Sequence, residues 1–248
     1  MKLVFNVTSE LGAWLQSTSE VVDDTPPDTE PDTDAHQVHW NCQILTRDDV
    51  EHATLVAVES FSHFCVILPL STRQTTIQIQ EMLLIRWGNE LAYHCAESSV
   101  LTDTEIQQFI KQFMQKPKAY VWVRDHFGQQ RKRFDRVVNK VTMRMENAAQ
   151  KSLSKEESIE LGDQLNLKNK SSKYNMWDLH SNSPVSRLLA DGLFRFGKGL
   201  AKEAFDHTPD KHFPCPHGSG RIQMVNQSDS RSGDSSNVIY FDTFKKKR

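Results

Sequence analysis

The chain has 248 residues, 38% of them hydrophobic, a formal net charge of −2 and four cysteines. The length admits one large domain or two small ones, and the hydrophobic share is low for a chain that packs along its whole length. No stretch approaches the roughly 18 uninterrupted apolar residues of a membrane span. Cys42, Cys65, Cys95 and Cys215 are too sparse and scattered for a disulfide framework. The first three cysteines sit among apolar residues and read as small buried hydrophobes. The apolar run at the start is short and contains Glu10, so it does not read as a signal peptide. The expected compartment is the cytoplasm, with no membrane partner.

Charge is divided unevenly. Residues 1–60 hold twelve acidic residues against Lys2 and Arg47, a net of −10, while the rest of the chain carries +8. Such a split points to a charged partner or to docking between the two halves. In chain order, residues 2–7 read as a strand and 9–15 as one or two helical turns. Residues 21–37 are rich in prolines and acidic side chains, which predicts an exposed, mobile loop. Strands follow at 38–45, 53–58 and 63–70, the last two joined by a hairpin through residues 59–62. Residues 75–95 and 101–115 read as helices from apolar spacings of three and four. Thr102 and Glu105 form a capping box for the second.

Residues 119–123, AYVWV, read as a strand. A helix carrying Val137, Val138, Val141, Met143 and Met145 is expected after Arg131, and a shorter one at 154–165, capped by Ser154 and Glu157. The last helix is expected at 182–205, with Pro184 in its first turn and Val185, Leu188, Leu189, Leu193, Phe196 and Leu200 on one face. Its glycines weaken it and permit close approach of a neighbour. A marginal helix with so apolar a face must be buried, against the N-terminal half or against another protein. Residues 227–237 read as disordered, and VIYFDTF at 238–244 ends the chain before a basic tail. The expected fold class is α+β: a small, mostly antiparallel sheet with packed helices in a domain over 1–150. A basic helical extension over 151–206 and a mostly disordered tail over 207–248 follow.

Two resemblances accompany this reading. The order KLVFNVTSEL, HWNCQILTRDD, ATLVAVESFSHFCVILPL and VWVRDHFGQQRKRFDRVVNKV resembles a small family of bacterial domains of unknown function. It covers about the first 150 residues and implies an α+β fold without an established activity; the acidic tract and the C-terminal third depart from it. Residues 214–221, PCPHGSGR, resemble the first half of the SEC-C zinc motif. The resemblance places Cys215 as first ligand and His217 where the second cysteine stands, but Asn226 and Gln227 occupy the last two ligand positions. Zinc wants four N or S donors in a structural site. His212, Cys215 and His217 are therefore the candidate metal ligands, zinc is the one candidate cofactor, and His207 could complete a four-donor set.

The chemical candidates centre on residues 116–140. Arg124, His126, Arg131, Lys132, Arg133 and Arg136 interleave there with Tyr120, Trp122, Phe127 and Phe134. Cations neutralise phosphates and aromatics stack on bases, so this composition suits DNA or RNA. Against it stands a charged, solvated face beside a core strand. Arg124, Asp125 and His126 lie at a strand end, where a metal-free nuclease could place its groups. His63 and Cys65 share a strand face, but the surrounding FCVILPL reads as core. Gly-rich phosphate loops and the GxSxG and HExxH patterns are missing from the sequence. The leading expectation is a bacterial accessory or regulatory interaction protein, with no catalytic site. Its protein partner would dock on Leu189, Leu193 and Phe196, or on Val238, Ile239, Tyr240, Phe241 and Phe244. The second is a nucleic-acid-binding protein using the basic segment, with nuclease activity as its extension.

Overall fold

Leu3, Phe5 and Val7 alternate with Val4 and Asn6, and all five are buried. A strand covered on both faces belongs in the middle of a sheet, and parallel neighbours are the usual setting for one. A computed structural model of the chain describes residues 1–15, 21–22, 33–46, 52–116, 118–125, 127, 131–167, 183–200 and 216–217. In it, β1 (Lys2–Val7) is flanked by β3 (Gln37–Thr46) and β6 (Ala119–Arg124), and both run parallel to it. The short β2 (Val21–Val22) adds to β6 in the same sense. On the other side, β4 (Ala53–Glu59) and β5 (Cys65–Leu70) continue from β3 as an antiparallel meander. The order is β2-β6-β1-β3-β4-β5.

The α+β class stands, but the sheet is mixed where a mostly antiparallel one was expected. Parallel pairing needs a long crossover. α2 (Thr76–Ser98) and α3 (Asp103–Gln115) provide it, carrying the chain from edge strand β5 to the far side of β1. Apolar alternation is the same in either sense, so the pattern alone could not choose. Asn6 and Asn41, opposed in the β1–β3 register, are both buried, and the Asn6 amide donates to Asn41 Oδ1 at 3.0 Å. That bond disfavours any slip of the register.

Helices cover both faces. One face, from Leu3, Phe5, Trp40, Leu55 and Trp122, packs on α1 (Ser9–Trp14), α2, α3 and α6 (Pro184–Phe196). At its centre Trp87 of α2 makes edge contacts with Trp40, Phe113 and Phe196, with ring centroids 5.1 to 5.9 Å apart. The opposite face, from Val56, Val58, Cys65 and Ile67, packs on Phe134, Val138, Val141 and Met145 of α4 (Arg131–Asn147). α5 (Lys155–Asn166) lies beside it. The capping boxes at Thr102 and Ser154 are both formed, and a third, Thr75 with Gln78, starts α2.

The segment expected as an extension is built into this fold. The Asn166 side chain accepts from the Cys65 amide and donates to its carbonyl, each at 2.8 Å. Thr54 Oγ1 accepts from the Leu153 amide at 3.1 Å. α6 buries Leu189, Leu193 and Phe196 in the core. These three residues therefore hold the helix to its own chain and present no docking face to a partner. A β-carbon on Gly192 would lie 2.5 Å from Leu91 Cδ2, so the close approach anticipated from the glycines is to α2. The helix stops at Phe196, short of its expected end, with Gly197 as its C-cap.

Within the tract expected as an exposed loop, Val21–Val22 form a strand and Thr33 is buried; residues 23–32 lie outside the described set. Cys42, Cys65 and Cys95 are buried free thiols, as expected. Burial pushes the Cys65 thiol up to about 12, which makes it a poor nucleophile. Among the described residues, no helix is long and apolar enough to cross a membrane.

Candidate functional site

α4 is amphipathic in an uncommon way. Its inward stripe is apolar, and its outward face carries Arg131, Lys132, Arg136, Lys140 and Arg144, all exposed. Lys132, Arg136, Lys140 and Arg144 recur every fourth residue, so they form one row with a rise of about 6 Å per step. Arg131 pairs with Asp135 at 3.1 Å across half-exposed side chains. Arg144 reaches Glu157 only at 4.0 Å. Surface pairs of this kind contribute about 0–1 kcal/mol and break readily in favour of another anion. Lys132, Arg136 and Lys140 pair with no carboxylate among the described residues. Exposed Met143 lies on the same side.

Not every residue expected on this surface belongs to it. Arg133 is half-buried, unlike the residues of the row. Arg124 is half-buried against α1, where a β-carbon on Gly12 would sit 3.4 Å from its Nε. Asp125 adopts φ 52°, its amide donates to the Val7 carbonyl at 2.8 Å, and its carboxylate accepts from Ser9 Oγ. The Arg124–Asp125 pair therefore closes the end of β6 onto α1. His126 lies outside the described residues. Phe127 stacks on Phe134 at 5.3 Å with Arg131 over its ring at 4.5 Å, and Trp122 is buried against Phe5. Of the aromatics in the basic segment, Tyr120 alone is exposed among those described.

A second assembly of charge lies at the β4–β5 turn. Glu59, 2% exposed, accepts from the Phe61 and Ser62 amides at 3.0 and 2.6 Å and from the Thr33 hydroxyl. Burial, together with the nearby Asp191 charge, raises its carboxyl above the ordinary range. Asp191 and Arg195 lie one turn apart on α6, and Arg195 Nε donates to both Asp191 carboxylate oxygens, at 2.9 and 2.8 Å. Arg195 also donates to the carbonyls of Asp34, Ala35 and Gln37, so it binds α6 to the approach of β3. His217 Nε2 donates to Asp191 Oδ1 at 2.7 Å, and its ring lies 4.3 Å from that of Phe61. Arg187 also lies over the Phe61 ring, at 4.3 Å.

His63, in the same turn, has φ 59° and is 8% exposed, and its Nδ1 has no partner among the described residues. Burial, then the charges of Arg133 and Arg187, hold its ring down to about 3. It is neutral at ordinary pH.

This cluster draws on residues that the sequence reading passed over: Glu59, Arg187, Asp191 and Arg195. One signal was available. Asp191 and Arg195 stand four apart in the otherwise apolar stretch 188–196, where a charge survives burial only if paired. The candidate zinc set is not assembled by what is described. His217 spends its Nε2 on Asp191, and His212 and Cys215 lie outside the described residues. Among the described residues, no group of three or more His, Cys, Asp or Glu is placed to hold a metal. The terminal candidates Val238 to Phe244 also lie outside them. No family model matches the chain, and neither a curated protein nor a solved structure matches it.

Proposed function

We propose that the chain binds nucleic acid through the outward face of α4, by contacts to the phosphate backbone. The observation that carries this reading is the row Lys132, Arg136 and Lys140, unpaired among the described residues and presented on a helix whose other side is anchored in the core. A rigidly held line of cations releases counterions when it meets a polyanion, and that release drives non-specific binding. Among the described residues the basic segment exposes Tyr120 as its one aromatic, which favours backbone contact over base stacking. The reading as a protein-interaction module lost its dock on α6 when that face proved to be core.

Fluorescence anisotropy of labelled single- and double-stranded DNA and RNA, at two salt concentrations, tests the reading. Binding should weaken steeply with salt. Reversing Lys132, Arg136 and Lys140 to Glu should reduce the slope of log affinity against log salt by about 2 to 3. No binding at low salt would overturn it.

A further inference from the structure

We propose that the cleft lined by Met1, Lys2, Ala35, His36, Lys116 and Ala119 binds a small polyanion carrying phosphate or carboxylate groups. The cleft lies at the amino ends of β1 and β6 and at the approach to β3, and its volume is about 490 Å³. That is the size of a small-molecule site. Backbone bonds join its walls. The Met1 carbonyl accepts from the Ala119 amide at 3.0 Å, and the Lys2 amide donates to the His36 carbonyl at 3.1 Å. Arg195, itself paired with Asp191, donates to the Ala35 carbonyl at 3.3 Å. The walls are therefore set before a ligand arrives, which spares the ligand the cost of ordering them.

The lining carries charge of one sign. Lys116 Nζ donates to the Arg195 carbonyl at 3.1 Å and lies 5.4 Å from the centre of the Phe196 ring. An ammonium has three N–H donors, so that one bond holds Lys116 in place and leaves two for a ligand. Lys118, beside it, is held by the Phe113 and Lys116 carbonyls at 2.6 and 3.1 Å. Among the described residues, no carboxylate lies within ion-pair distance of Lys2, His36, Lys116 or Lys118. Asp34 Oδ1 accepts from the His36 and Gln37 amides at 2.6 and 2.8 Å, and Asp191 is held by Arg195 and His217. Burial, then the Arg195 charge, pulls the Lys116 ammonium below the ordinary lysine value, and burial, then the Lys116 charge, does the same to Lys118. An anion in the cleft would supply the counter-charge that both lack. A lysine ammonium is a compact point charge without the planar fork of arginine. The cleft therefore selects by charge and size, and phosphates and carboxylates share the chemistry it recognises. None of its residues belongs to α4, so the site does not depend on the outward row.

The test is a titration of the full chain with inorganic pyrophosphate and, separately, with citrate, followed by calorimetry and by the NMR signals of the His36 ring. Saturable one-to-one binding of at least one of them, moving those signals, is expected. It should weaken at least about tenfold in the Lys2→Gln, Lys116→Gln double variant. The Lys132, Arg136 and Lys140 reversals should leave it unchanged while abolishing oligonucleotide binding. Absence of saturable binding of both anions in the wild type, binding that leaves the His36 signals in place, or binding indifferent to the double variant overturns the site. The wild-type titration and the exposed Lys2→Gln single variant decide even if the double variant misfolds. Tighter binding of pyrophosphate identifies a phosphate ligand, tighter binding of citrate a carboxylate, and equal binding shows recognition by charge alone.

Discussion

The two faces of the sheet are covered by different kinds of helix. On one, Trp40, Trp87, Phe113 and Phe196 interlock, and α6 is buried almost all round. On the other, α4 contributes a narrow apolar stripe and turns a strongly cationic surface outward. On this second face the apolar side chains of α4 pack on the sheet, and two polar hooks, Asn166 on Cys65 and Thr54 on Leu153, tie down the ends of α5. The contrast teaches that stability and charge presentation are assigned to opposite sides. The aromatic face can hold the fold while the basic face carries groups that add little to it.

Substitutions should separate these roles. Trp87→Ala should have the largest effect, a loss of about 3–5 kcal/mol in urea unfolding, because it empties the centre of the aromatic cluster. Asn166→Ala should lower stability by about 2–3 kcal/mol, since it leaves both backbone groups of Cys65 short of their partner. Gly192→Ala should lose about 1–3 kcal/mol by overpacking against Leu91. Reversing Lys132, Arg136 and Lys140 should move stability by no more than about 0.5 kcal/mol per site. A larger loss there would show that the cationic face is structural after all.

Acid titration refines the comparison at the turn where the two faces meet. The folded His63 stays neutral down to about pH 3, whereas its ordinary value is 6.5. Between these values the unfolded chain binds more protons, so the His63 contribution to stability is present above 6.5 and lost as pH falls. Glu59 acts in the opposite sense: its raised pKa gives stability at low pH that is lost as pH rises through the folded value. His63→Asn tolerates the left-handed backbone. The stability difference between wild type and this variant should therefore change with pH only below about 6.5, as urea unfolding across that range would read.

Much of the architecture was legible because it depends on local signals. Thr102 with Glu105 and Ser154 with Glu157 cap their helices as read, and the β4–β5 hairpin turns where its polar residues fall. The Thr75 box was missed because its third position is Gln78, a less conspicuous partner than glutamate. Strand sense was not legible: Lys2–Val7 alternates in the same way whether its neighbours run parallel or not. The basic row of α4 was visible as composition, but Arg133 and Arg136 separated only once the helix had a defined inner side. The charge cluster was least visible, because Glu59, Arg187 and His217 come from segments far apart in the chain.

The place of β1 has a consequence for synthesis. It is the central strand, yet one of its two partners, β6, lies more than a hundred residues later, beyond the whole meander and two helices. While the chain emerges from the ribosome, β1 can join β3 early but must present an open, apolar edge until β6 arrives. Pairing across so long a loop is slow to nucleate, and an exposed strand edge invites association with other chains. The growing polypeptide should therefore be most vulnerable to aggregation just before residues 119–124 are released, and a nascent chain halted there should be held by chaperones more than one halted after α4.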